Sequence, residues 1–153
     1  MVYDSTDDTR KHIEQVRYYL TRMADDLGDR GVAHDLSKLS SPEKEAYDAL
    51  TPRLAGLTYG SDEYRATLRE MKPAIQHHYE ANTHHPEHYP NGILGMDILD
   101  VVEMLCDWKA ASLRHKDGDF RSSTEYNQTR FGFSDDLKAI FLNSLPLLEA
   151  GQE

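Results

Sequence analysis

Five of the eight histidines, His77, His78, His84, His85 and His88, fall within twelve residues of one another. Imidazole is the commonest metal ligand and the usual proton carrier near neutral pH, so this stretch is the first place to look for chemistry. The pairs His77-His78 and His84-His85 repeat at a spacing of seven, which on an unbroken helix would stack them on one face. Asn82-Thr83 and Pro86 interrupt such a helix. Two functional roles stand open to these rings, metal ligation and proton transfer. The plain alternative is a polar surface loop whose histidines cap a helix end.

Two further constellations lie outside that stretch. His34-Asp35 is followed by Lys38, and His12 precedes it by about six helical turns. Asp107 stands in the apolar run MLCDWKAA, where an unpaired carboxylate would cost several kcal/mol or more to bury. Asp107 therefore needs a cation, a protonation shift or a hydrogen-bond network. A salt bridge to Lys109 or Arg114 would serve, and so would a metal shared with imidazoles.

The elements that must carry these residues read as helices. Ile13, Val16, Leu20, Met23 and Leu27 step by three and four, and Asp7 or Asp8 can cap their start. This predicts a first helix ending at Gly28 and Gly31, with His12 on its buried side. A short second helix is expected over 32–39. Ser41-Pro42-Glu43 starts a third that runs to about Leu50, followed by a loop over 51–60. Ser61-Asp62-Glu63 opens a fourth that reaches His77-His78 with a kink at Pro73. The stretch 79–95, rich in Asn, His, Pro and Gly, predicts a long loop walling the site. Met96 to Lys116 is the most apolar segment, hence the central helix, and after a turn at 116–120, Ser122 and Ser134 open two closing helices. No alternating strand pattern occurs. The expectation is one all-α domain of six to seven helices spanning 1–153, with a core over about 10–115 and closing helices over 122–149.

Composition narrows the partners. At 153 residues the chain has the size of one domain. Its formal net charge of −10 argues against a nucleic-acid duplex, which demands clustered Lys and Arg. An anionic small molecule still fits where a metal and a few cations reverse the local field. Cys106 is the single cysteine, expected to pack as a small buried hydrophobe. The N-terminus is polar and no apolar run approaches a membrane span, so a cytoplasmic protein without a membrane partner is expected. Nothing in the sequence decides whether copies of the chain assemble.

Taken in order, these pieces resemble the HD-domain metal-dependent phosphohydrolase superfamily. Its pattern places a histidine in the first helix, a His-Asp pair at the next, and a distant aspartate on a later central helix. The segment HIEQVRYYLTRMADDLGDRGVAHDLSK is similar to the family's opening, with HDLSK in place of HDIGK. The stretch HHYEANTHHPEHYPNGILGMDILDVVEMLCDWKAA is similar to the HHE…GYP…GL…D segment of the HD-GYP subgroup, with His77-His78 as its histidine pair. The HD-GYP pattern has a further histidine midway between its pairs, whereas here none occurs from 35 to 76, and His88-Tyr89-Pro90 replaces the GYP triplet. The single-metal form of the superfamily fits better. The whole chain also resembles a group of short phage and bacterial proteins, which carries no activity across.

The resemblance implies one divalent ion (manganese, zinc, cobalt or iron) on His12, His34, Asp35 and Asp107. Lys38 would meet the substrate phosphate, with Arg17 and Arg130 helping. His77 or His78 would protonate the leaving oxygen, and His84 and His85 would line the substrate; a second metal on His78 with His84 or His85 is the lesser alternative. The implied activity is hydrolysis of a nucleotide or related small phosphoester. Two rivals use the same residue types. A non-catalytic nucleotide-binding or regulatory module would keep the pocket without turnover, and a di-iron oxygenase of HD-like fold would need two irons.

Overall fold

A computed structural model describes residues 3–57, 61–113 and 119–149. The described residues form six α-helices joined by turns and short 3-10 segments, with no strand. The helices are α1 (Thr6–Ala33), α2 (Glu43–Ala55), α3 (Asp62–Ala81), α4 (Ile98–Ser112), α5 (Phe120–Phe131) and α6 (Asp135–Glu149). The chain is all-α. It divides into two compact units, Met1–His34 and Asp35–Glu153.

The first unit is the long helix α1. It runs straight through Gly28 and Gly31, where an end was expected, because a glycine inside a helix costs only about 1 kcal/mol and stops nothing by itself. The chain leaves the helix at His34, whose ψ of 124° is non-helical. No residue of α1 is buried. Ile13, Val16, Leu20 and Met23 are exposed, which corrects the reading of a buried stripe with His12 on its inner side.

The second unit begins with a turn rather than the expected helix over 32–39. Asp35 adopts the left-handed region at φ 58°, a conformation that Asp tolerates better than most residues. A 3-10 segment, Leu36–Leu39, follows. α2 then continues past Leu50 to Ala55, with Pro52 inside it. α2 packs on α3, and Leu50, Met71 and Ala74 of these two helices are buried. Residues 58–60 and 114–118, parts of the expected loop and turn, lie outside the described residues.

α4, α5 and α6 enclose the larger apolar core of Met104, Leu105, Phe120, Phe133 and Phe141. Trp108 joins it, stacked on Phe131 and edge-on to Phe141. Cys106 points the other way: one residue past Leu105 on the helix, it is exposed, against the expectation of burial. α4 starts with a capping box. The Asp97 carboxylate accepts from the backbone N–H groups of Leu99 and Asp100, and the Asp100 carboxylate accepts from that of Asp97. Asp100 thereby becomes a buried anchor. It also takes hydrogen bonds from Thr83 Oγ1 and Tyr89 Oη, each at 2.6 Å, which pins the connection between α3 and α4 to the start of α4.

Candidate metal centre

Four ligand atoms converge in the second unit. His78 Nε2 lies 2.8 Å from His85 Nε2 and 3.3 Å from Asp35 Oδ1. His84 Nε2 lies 3.6 Å from that same oxygen. The four residues form a group whose donor atoms all fall within 4.8 Å of one another. Two ligands on a first-row ion at about 2.1 Å are roughly 3.0 Å apart at a right angle and roughly 3.4 Å apart at the tetrahedral angle. The observed separations bracket those values.

Each ligand reaches the point by a different route. Asp35 is aimed by its left-handed turn. His78 stands on the last turns of α3. His84 and His85 come from the connection that Asp100 pins, and Pro86–His88 forms a 3-10 turn immediately after them. The Nδ1–H of His88 donates to the Tyr79 carbonyl at 2.9 Å, closing that turn back onto α3.

The outer nitrogens decide how the rings face. His78 Nδ1 is 2.9 Å from Glu43 Oε2 and His84 Nδ1 is 3.0 Å from Glu103 Oε1. An ionised carboxylate only accepts, so both rings carry a proton on Nδ1 and turn Nε2 inward. The Asn82 amide also lies near His78 Nδ1, but its hydrogens go to Ser37 Oγ and the His78 carbonyl. Two imidazole Nε2 atoms thus face one carboxylate oxygen, an arrangement that a cation among them would satisfy. A carboxylate behind a histidine is the usual way a protein orients a ligating ring. The donor set fits a divalent ion.

Electrostatics agrees with ligation. Burial, and the neighbouring His84 and His78 rings, push His85 down to about 3. Burial and Lys38 lower His78, against the opposing pull of Asp35 and Glu43. Both rings are therefore neutral at pH 7, the form that binds metal. Glu43 is fully buried. Burial alone would raise it, but hydrogen bonds from His77, Ser37 and His78 outweigh that and hold it below the usual range.

The remaining sequence candidates fall as follows. Lys38 pairs through Nζ with Asp35 Oδ2, so it stands beside the ligand point on the oxygen's far side. A ligand oxygen of Asp107 lies within 4.8 Å of one on Asp35, and Lys109, proposed as its ion-pair partner, instead binds Glu149 at 3.0 Å. His77 is half-exposed and donates to Glu43 Oε1 at 2.8 Å. Arg130 is exposed on α5, where it contacts Tyr79 Oη at 3.4 Å and pairs with Glu87. His12, Arg17 and His34 belong to the first unit, where His12 and Arg17 are exposed.

Sequence reasoning had set His84 and His85 apart as substrate groups and His78 as an acid. Glu43 and Glu103, which orient two of the rings, carried no sequence signal at all: each is an ordinary acidic residue on a helix. A sequence pattern defining a family of unknown function, DUF5662, matches residues 1–146. The chain belongs to that family. No curated protein and no solved structure matches this DUF5662 chain.

Proposed function

We propose that this DUF5662 chain is a metal-dependent phosphohydrolase acting on a nucleotide or related small phosphoester, with its ion on Asp35, His78, His84 and His85. The observation that carries the metal is the convergence of Asp35, His78, His84 and His85, with the outer nitrogens of two rings held by Glu43 and Glu103 while their Nε2 atoms meet Asp35 Oδ1. The reaction class comes from the HD resemblance. In that resemblance Asp35, the pair His77-His78 and Asp107 stand in the family's order, and His84-His85 lie outside its pattern.

A divalent ion bound there supplies Lewis acidity toward a phosphoryl oxygen and toward water. Lys38, already beside Asp35, offers a point charge to the incoming phosphate. Asp107 is placed to hold water near Asp35. With His78 turned to ligation, His77, hydrogen-bonded to Glu43 Oε1, is the proton donor for the leaving oxygen. No helix among the described residues is long and apolar enough to cross a membrane.

The test begins with elemental analysis of protein purified without a histidine tag, followed by a panel of phosphomonoesters and phosphodiesters. One ion per chain and turnover of at least one phosphoester are expected, both lost in Asp35→Asn, because a neutral amide ligates poorly. A chain that takes up none of manganese, zinc, cobalt or ferrous iron and hydrolyses no phosphoester overturns the reading.

A further inference from the structure

α1 carries its apolar residues on one seam and buries none of them. Ile13, Val16, Leu20, Met23 and Leu27 alternate steps of three and four, the spacing that keeps a stripe facing a neighbouring helix over successive turns. Ile13 is 58% exposed, Leu20 62%, Val16 42% and Met23 38%, and Leu27 at the far end is half-buried. Most of a helix's stability in a protein comes from packing its apolar face, so the seam calls for a partner helix. At about 1.5 Å per residue α1 is roughly 42 Å long, and a contact stripe about 12 Å wide covers on the order of 1,000 Å² over two such helices. That is the lower end for specific association, the scale of a reversible dimer rather than an obligate one.

The residues beside the seam say which partner fits. His12, Tyr19 and Asp26 form one edge, and Arg10, Arg17, Ala24 and Gly31 form the other. In a parallel pair of copies unlike edges face each other, which sets Arg17 of one beside His12 of the other and puts Arg30, the seam position after Leu27, against its own copy. In an antiparallel pair each edge meets its like. With Leu20 of one copy level with Met23 of the other, the Tyr19 hydroxyl faces the other copy's Asp26 carboxylate, to which it can donate, and Arg17 faces the small Ala24. Val16 then meets Leu27, and the Arg30 stem covers Ile13 with its charge turned outward. No like charges face each other across either edge. Every contact occurs twice about a two-fold axis, the commonest symmetry of soluble oligomers.

We infer that α1 is a self-association surface, through which two copies of this chain pair as an antiparallel two-helix coil along Ile13, Val16, Leu20 and Met23. The pairing needs no metal and stands apart from the phosphohydrolase reading.

Sedimentation equilibrium of the full chain over a range of concentrations tests it. Monomer and dimer should exchange reversibly with a Kd in the micromolar range. Leu20→Glu puts a charge into the middle of the seam and should weaken the dimer by about tenfold or more. Tyr18→Glu, on the outer face of the same helix, should leave it unchanged. Both positions are exposed and glutamate is a good helix former, so both variants keep the fold. In a Cys106→Ala background, spin labels on Arg10→Cys should lie roughly 30 Å apart in the dimer, against one helix diameter of about 10–12 Å in a parallel pair. A chain that stays monomeric up to about 100 μM, a dimer that Leu20→Glu leaves intact or that Tyr18→Glu weakens equally, or labels at the shorter distance overturns the inference.

Discussion

Glu103 is half-buried on α4, and its carboxylate fixes His84 through Nδ1 at 3.0 Å. Removing it leaves all four ligands in place but frees one ring to turn and to exchange tautomers. Glu103→Ala should therefore weaken metal binding by about 10–100-fold, the usual effect of losing a carboxylate behind a ligating histidine. Competition against a chromophoric chelator measures this, and an unchanged affinity would remove Glu103 from the centre. Lys38 makes the opposite case, because its ammonium competes with a cation for Asp35. Lys38→Ala should retain the ion or bind it slightly more tightly while phosphate binding weakens, and loss of the ion would contradict the role given to it. The sequence pointed to His and Asp as candidate ligands, and to Asp35 in particular. It could not show which rings meet, because that depends on a left-handed turn at Asp35 and on carboxylates from two other helices.

The connection from α3 to α4 behaves as a built element, although its Asn, His, Pro and Gly content reads only as a loop. Asp100 collects Thr83, Tyr89 and the Asp97 backbone, and these bonds hold His84 and His85 at one end. Burial, then the Asp100 hydrogen bond and charge, push the Tyr89 hydroxyl up to about 12. A raised pKa means that the folded chain keeps this proton after the unfolded chain loses it. The stabilisation is complete below the ordinary tyrosine value of 10 and disappears as pH climbs through about 12. Tyr89→Phe should cost about 1–3 kcal/mol at neutral pH, since it strips a partner from a buried carboxylate. In urea titrations it should also flatten the fall in stability between pH 10 and pH 12, and an unchanged alkaline slope would refute the coupling. Gly95 supports the same clamp. A Cβ there would stand 2.5 Å from Asn91 Oδ1 and 2.7 Å from Tyr89 Cβ, so Gly95→Ala should displace Tyr89 and cost about 1–3 kcal/mol by overpacking. The glycine's presence was visible in the sequence, but its need was not, because the crowding comes from a ring folded back across six residues.

Across the chain, helical periodicity was enough to establish an all-α protein, and the apolar character of α4 marked the helix that carries the main core. Element ends were less legible: α1 passes two glycines and α2 passes a proline, since neither residue outweighs the turns on both sides of it. The ligands of the second unit come from a turn before α2, from the end of α3 and from the connection beyond it, and these segments meet only in the folded state. An ion that binds there and nowhere in the unfolded chain must stabilise the unit by mass action. At a hundredfold excess over Kd the gain is about 2.7 kcal/mol, which for a unit of this size corresponds to a rise in Tm of roughly 10 °C. Scanning calorimetry of chelator-treated and reloaded protein should show that rise, growing with the logarithm of metal concentration. Asp35→Asn should abolish it. In Asp107→Asn a retained but smaller rise would separate an accessory carboxylate from the ligands, whereas complete loss would place Asp107 among them.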